Sequence, residues 1–308
     1  MNRPIVVGAD GTEESLRAVD WAAREAARRA APLRIVSVTV APSPNASPHG
    51  PPETVDDALR SLYAQALTTT AGRAASLSPG LAIETELLSG RPARVLARDA
   101  SGASMLVVGA GGAGEYGGVG VGPVSRYVAM HARCPVAVVR DPGEAAGSEI
   151  VVGVRDPHEA AAGALRFAFE EAALRGVPLR AVHAWYWFPP ALLAPVAADA
   201  AGRPRRTGDA GSAWPLPEEF DARALSAETA VRLAEVLRGW QGKYPEVAVS
   251  QDVVHGHPGR VLADFSGRAG LVVLGRHDRH DGVRPGHGSV HYAVLSRARG
   301  PVAVVPSV

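Results

Sequence analysis

Residues 105–125, MLVVGAGGAGEYGGVGVGPVS, pass from an apolar run through a glycine-rich loop to a proline and a serine. The run MLVVG, rich in valine and closed by glycine, has the pattern of a strand buried on both faces of a parallel sheet. Pro123 suits the first position of a helix, where its fixed φ is already helical and its missing N–H would be unpaired anyway. The stretch therefore reads as strand, glycine loop, helix. Gly109, Gly111 and Gly114 spell GxGxxG, but that dinucleotide fingerprint belongs in a first βαβ turn with a helix starting inside the motif. Here the glycines continue to Gly122. A better description is Gly109, two residues, Gly112, nine residues, Gly122, then a helix start whose free N–H groups favour an anion.

Outward from this loop, the chain repeats itself. PIVVGADGTEESLRAVDWAAREAARRAAPLRIVSVTV (4–40) overlays EIVVGVRDPHEAAAGALRFAFEEAALRGVPLRAVHAW (149–185) once a short run of alanines is allowed for. ETELLSGRPARVLARDASGASMLVVGA (84–110) overlays SQDVVHGHPGRVLADFSGRAGLVVLGR (250–276), and CPVAVVR (134–140) overlays GPVAVVP (300–306). Gly8 pairs with Gly153 and Gly109 with Gly275, offsets of 145 and 166, so the second half carries a longer middle segment. Each unit alternates strand and helix five times, which predicts two tandem doubly wound α/β domains, each with a mainly five-stranded parallel sheet. The expected division is 1–141 and 149–308, with 142–148 as linker. Thr12 is placed to cap a first helix carrying Leu16, Val19, Ala22, Ala23, Ala26 and Ala27 on one face. Helices are also expected near 53–77 and 221–240, each after a proline-rich stretch (41–52 and 186–220), the longer of which contains the run RPRR.

Composition excludes several function classes. Of 308 residues, 32 are basic and 31 acidic; Lys243 is the only lysine, and the other 31 basic residues are arginine. There is no Walker-A lysine, no kinase clamp and no Schiff-base lysine. The net charge of +1 argues against a sequence-independent nucleic-acid binder. Cys134 stands alone, so no intramolecular disulfide and no cysteine zinc site forms. No apolar run reaches a membrane span, which requires about 18 residues, and the start lacks a signal-peptide core; a soluble cytoplasmic protein is expected, without membrane or nucleic-acid partners.

The combination of VVGADGT, SGRPARVL, the glycine spacing and CPVAVV resembles the universal stress protein family in its tandem form, over nearly the whole chain. That resemblance implies an ATP-binding branch and a stress-response role exercised through nucleotide-dependent conformation or a regulatory protein partner. By position, Asp10 would contact the ribose and the backbone of Val38 the adenine edge. Gly109, Gly112 and Gly122 would line the phosphates, and Ser125 would supply a hydroxyl; Ala9 and Val124 would belong to the same binding site, with Mg²⁺ as companion ion. In the second half Gly275, Gly288 and Ser289 occupy equivalent places, but Arg155 replaces the aspartate, with Asp156 beside it, and Asp278 replaces the second loop glycine. A carboxylate there repels phosphate, so ATP is expected mainly in the first half. The terminal VAVV strands offer edges for pairing, either half to half or as a homodimer through edge strands.

Other features carry less. His287 and His291 stand four apart, yet Gly288 intervenes and no HExxH accompanies them, so no metal centre is expected. Glu170 and Glu171 read as a solvated helix face, and the cluster Trp185–Phe188 as cover for a neighbouring surface. No nucleophile motif is present, so the chain is expected not to be an enzyme. Two further readings stay open: a nucleotide-free interaction module, and a slow ATPase or nucleotidyl transferase.

Overall fold

The strands of both halves join one sheet. The computed structural model describes residues 2–39, 52–111, 120–140, 147–155, 162–186, 222–276 and 287–307. In the first half the order is β1 (Ile5–Gly8), α1 (Glu13–Arg28), β2 (Leu33–Thr39), α2 (Pro52–Leu77), β3 (Ile83–Ser89), α3 (Pro92–Asp99), β4 (Met105–Gly109), α4 (Pro123–His131) and β5 (Val136–Val139). The second half repeats it as β6 (Glu149–Gly153), α5 (Ala162–Arg175), β7 (Leu179–Trp185), α6 (Ala222–Gln241), β8 (Val249–His255), α7 (Pro258–Phe265), β9 (Ala269–Arg276), α8 (His287–Arg297) and β10 (Val302–Pro306). Most of both proline-rich stretches, the RPRR run, Trp187, Phe188 and most of the linker lie outside the described residues.

Alternation of apolar side chains explains the layering. Ile5 and Val7 face one core and Val6 the other, all without solvent exposure. The first core is closed by α1, α2, α5 and α6, the second by α3, α4, α7 and α8. Thr12 caps α1 as expected, its hydroxyl accepting from the N–H of Ser15 at 3.3 Å.

Strand order is β3-β2-β1-β4-β5-β10-β9-β6-β7-β8. Every pairing is parallel except the central one, where β10 runs antiparallel to β5 in the register Val302↔Val138, Ala303↔Ala137 and Val304↔Val136. The two edges that offered a homodimer are thus occupied by each other within one chain, because each leaves backbone N–H and C=O groups that need partners. The outer edges of the sheet are β3 and β8.

A buried charge ring spans the junction. Glu25 on α1 and Glu171 on α5 have fully buried side chains. Arg29 donates from Nε to Glu25 at 2.8 Å and also bonds Glu171; Arg175 donates to Glu171 at 2.9 Å and to Glu25 at 2.8 Å. Above the ring, Arg29 lies 5.8 Å from the Phe167 ring and Arg175 lies 5.6 Å from the Trp21 ring. Glu171 is therefore not on a solvated face: α5 turns it inward because α1 of the other half supplies the cations. Burial pulls the Arg175 pKa below the ordinary guanidinium value, and Glu25 opposes that shift.

Candidate functional site

The strand order reverses between β1 and β4, and ligands of open α/β sheets bind beyond the carboxyl ends of such strands. At that place β1 ends, and the chain turns through Asp10 and Gly11 into α1. Gly11 has φ +81°, a left-handed conformation that glycine adopts without a Cβ clash. The Asp10 carboxylate is exposed but not idle: its Oδ1 accepts from the Thr12 N–H at 3.0 Å and the Thr12 hydroxyl at 2.6 Å. This Asx-type turn holds the carboxylate at the helix start.

A cleft of about 250 Å³ opens beside it, lined by Ala9, Asp10, Gly11 and Ser37 below and by Leu62, Tyr63, Ala66, Leu67 and Thr70 of α2 above. Val38 presents its side chain to the opposite core, against the second cluster. Its backbone is the relevant part. Val36 directs its carbonyl toward β1, accepting from Ala9 N–H at 2.9 Å. Alternate residues of a strand aim their backbone groups to the same side, so the N–H and C=O of Val38 point past the end of β1 into the opening.

The glycine loop leaves β4 next to this cleft. A Cβ on Gly109 would stand 2.7 Å from the carbonyl oxygen of Glu14, so glycine is required there for α1 to lie against β4. Ala110 donates to the Val139 carbonyl at 2.9 Å, and Gly122 donates to the Ala110 carbonyl at 2.7 Å, which brings the two described ends of the loop together. Gly122 is the N-cap of α4. At that helix start the N–H groups of Val124 and Ser125 have no intrahelical acceptor, and Pro123 has none to offer. Ser125 is 2% exposed, and its hydroxyl donates to the Gly109 carbonyl at 2.6 Å. Its proton is committed within the fold, so the structure makes it a clasp between loop ends. Gly112 lies outside the described residues.

The second half differs at the same points. Ala9 and Ser37 correspond to Val154 and His183, and His183 Nδ1 meets the Val154 carbonyl at 3.0 Å. A carbonyl only accepts, so Nδ1 carries the proton. Two larger side chains stand where the first half has its cleft. Gly275 is the last residue but one of β9, and there His291 takes the place of Ser125: its Nε2 meets the Gly275 carbonyl at 3.0 Å. Gly288 and Ser289 fall in the first turn of α8, which begins at His287 rather than after Gly288; the Ser289 side chain is not among the described ones. The repeat offset of 166 residues, applied to Ser125, points to His291 and is the signal by which sequence could have found this clasp. Arg155 is exposed, and Asp156 and Asp278 lie outside the described residues.

Elsewhere, His257 caps α7 by accepting from the Gly259 N–H at 3.2 Å. His255 meets the rings of Trp185 and Tyr186 at centroid distances of 4.6 and 6.0 Å. Among the described residues no group of three His, Cys, Asp or Glu is arranged to hold a metal, and no helix is long and apolar enough to cross a membrane.

Comparison with known proteins agrees with this architecture. The sequence profile of the universal stress protein family matches residues 1–140 and again residues 148–306. A universal stress protein of Mycobacterium tuberculosis is 35% identical over 311 aligned positions, covering 97% of this chain and 96% of its own. One from Mycolicibacterium smegmatis is 34% identical over 309, covering 98% and 96%. Among solved structures, a universal stress protein from Archaeoglobus fulgidus superposes with a TM-score of 0.62 at 14% identity, covering 99% of this chain and 96% of that one, a likeness of fold. Two family units in one polypeptide, paired through their last strands, account for all of this: the chain belongs to the universal stress protein family.

Proposed function

We propose that the first half binds ATP and that the chain acts as a nucleotide-dependent regulatory or interaction module in the cytoplasmic stress response, with no catalytic residue assigned. The observation that carries this reading is the asymmetry of the two crevices. In the first half, small residues (Ala9, Ser37) leave a cleft with a carboxylate at its rim, an apolar shelf from α2 and a helix N-terminus across the opening. In the second, Val154 and His183 stand in the corresponding positions. The volume, about 250 Å³, is just below the roughly 300–1,000 Å³ usual for small-molecule clefts. It suits a base and sugar, with the phosphates running outward along Gly109–Gly122. In this arrangement Leu62 and Tyr63 flank the base, the Val38 backbone reads its edge, Asp10 meets the ribose, and the N–H groups of Val124 and Ser125 face phosphate. Mg²⁺ would arrive with the triphosphate and be held chiefly by it.

Calorimetric titration of the whole chain with ATP tests this. One site per chain is expected, with Asp10→Ala weakening it at least tenfold. No saturation at millimolar ATP, with Asp10→Ala indistinguishable, overturns it. A second reading is favoured by one specific observation: Asp10 and Ser125 are already engaged within the fold, by Thr12 and Gly109. In that reading both loops only close the fold, and the chain is a nucleotide-free interaction module. A homodimer would use surfaces other than β5 and β10, which are already paired.

A further inference from the structure

The two helix layers treat their arginines differently. In the layer of α1, α2, α5 and α6 every helix pairs an arginine with a carboxylate: Arg17 with Glu13 at 3.0 Å, Arg73 with Asp20 at 2.6 Å, Arg166 with Glu170 at 3.8 Å, and Arg232 with Glu228. Those four helices carry eleven carboxylates and ten arginines, so their charges balance. The layer of α3, α4, α7 and α8 does not balance. Arg94 and Arg98 on α3, Arg133 after α4, Arg260 on α7, and Arg297 and Arg299 at the end of α8 are all exposed. None of the six forms an ion pair among the described residues. The acids of these four helices are Asp99, which already holds Arg34 at 2.6 Å, and Asp264. A net charge of +1 therefore conceals a segregation by layer.

The repeat sets the pattern on this face. Arg94 and Arg260, like Arg133 and Arg299, are 166 residues apart, the offset of Gly109 and Gly275. The strands β5 and β10 pair about Ala137↔Ala303, also 166 apart. An antiparallel pair has a two-fold axis normal to the sheet, so both copies of each arginine lie on one face, on opposite sides of that axis. Among them stand Tyr127, stacked on His131 at 4.1 Å, and Tyr292, 50% exposed.

We propose that this face is a docking surface for an acidic segment of a partner protein. The proposal gives a chemistry to the partner of the interaction-module reading and rests on that reading, with or without ATP. Exposed guanidiniums without a counter-charge offer a fixed fork of donors for bidentate pairing with carboxylates. Arginine and tyrosine are also the side chains enriched at protein interfaces. A membrane surface fits less well, because Tyr292 is the one large apolar side chain that this layer exposes among the described residues. Duplex nucleic acid fits less well, because the carboxylates of the opposite layer cancel the excess positive charge on which phosphate binding draws.

The test titrates labelled poly(Glu,Tyr) and a duplex DNA oligonucleotide with the full-length chain, without nucleotide, by fluorescence anisotropy; phosphatidylserine vesicles are tested by co-sedimentation. Saturable binding of poly(Glu,Tyr) is expected, weakening as salt is raised. The double variants Arg94→Glu/Arg260→Glu and Arg133→Glu/Arg299→Glu should each lose about tenfold or more in affinity. The control Arg17→Glu/Arg232→Glu makes the same change in net charge on the opposite layer and should stay within about twofold. No saturable binding, equal losses in control and test variants, or tighter binding of DNA or vesicles overturns the proposal and leaves the ATP reading standing. Binding of poly(Glu,Tyr) as expected, in a chain that ATP does not saturate, supports the proposal and sinks only the nucleotide reading. Circular dichroism checks that the variants fold. Where a double variant does not, the wild-type chain is modified with phenylglyoxal and its peptides are mapped. Protection of Arg94 and Arg260 by poly(Glu,Tyr) but not by free glutamate supports the proposal; equal modification under both refutes it.

Discussion

Glu25→Ala isolates the ring that joins the halves. In the wild type Oε1 accepts from Arg29 at 2.8 Å, and Oε2 accepts from Arg28 at 3.1 Å and Arg175 at 2.8 Å, with the carboxylate side chain 0% exposed. Removing it leaves the guanidiniums of Arg29 and Arg175, side chains 19% and 12% exposed, with Glu171 as their shared counter-charge. Breaking a buried pair from one side costs about 3–5 kcal/mol. Because Arg29 can swing partly into solvent, the lower end, about 3 kcal/mol, is expected. For a urea slope of about 3 kcal/mol/M, the unfolding midpoint falls by roughly 1 M. The control is Glu13→Ala, which removes a carboxylate of α1 that is 76% exposed and lies 3.0 Å from Arg17 and should cost about 0.5 kcal/mol. Replacing all four members by apolar residues of similar volume should recover most of the loss, since hydrophobic packing then substitutes for the ring. Urea denaturation followed by circular dichroism reads all three. Equal midpoints for Glu25→Ala and Glu13→Ala would refute the view that the ring, and not strand pairing alone, holds the halves together.

Gly109→Ala places a methyl 2.7 Å from the Glu14 carbonyl and should destabilise by about 1–3 kcal/mol, seen as a lower melting temperature. Gly72→Ala and Gly239→Ala meet nothing within 4 Å inside exposed helix positions and should each stabilise by about 0.5–1 kcal/mol, raising the same readout. Ser125→Ala removes the buried 2.6 Å bond to Gly109 and should cost about 1–2 kcal/mol in chemical denaturation. Burial raises the Cys134 thiol from its ordinary value near 9 to about 11. A folded-state pKa raised in this way means stability intact below pH 9 and lost as pH climbs toward 11, by roughly 2–3 kcal/mol. Cys134→Ala should flatten that alkaline limb, and the native thiol should resist Ellman's reagent at pH 8.

Much of the candidate site was legible because it rests on local rules. Thr12 as cap, Pro123 at a helix start and the glycine spacing each follow from backbone chemistry within a few residues. The clasp of His291 on Gly275 and the plug of His183 on Val154 were present in the repeat alignment, but only as positions opposite Ser125 and Ser37. Their meaning needs the distance across a loop. Glu171 was misread for a related reason. A glutamate beside another on a helix is usually solvated, and nothing within α5 announces Arg29, 142 residues away in sequence.

From sequence alone came the duplication, the α/β alternation, the exclusion of lysine-dependent phosphate chemistry and the family resemblance, all properties of pattern and composition. Tertiary structure decided the rest. It joined two five-stranded sheets into one by pairing β5 with β10, turned Glu25 and Glu171 inward, and made the two crevices unequal. The physical reason is common to all three. Edge hydrogen bonds, buried charges and cleft volume depend on which surfaces meet, and that is set by the summed packing of elements far apart in the chain.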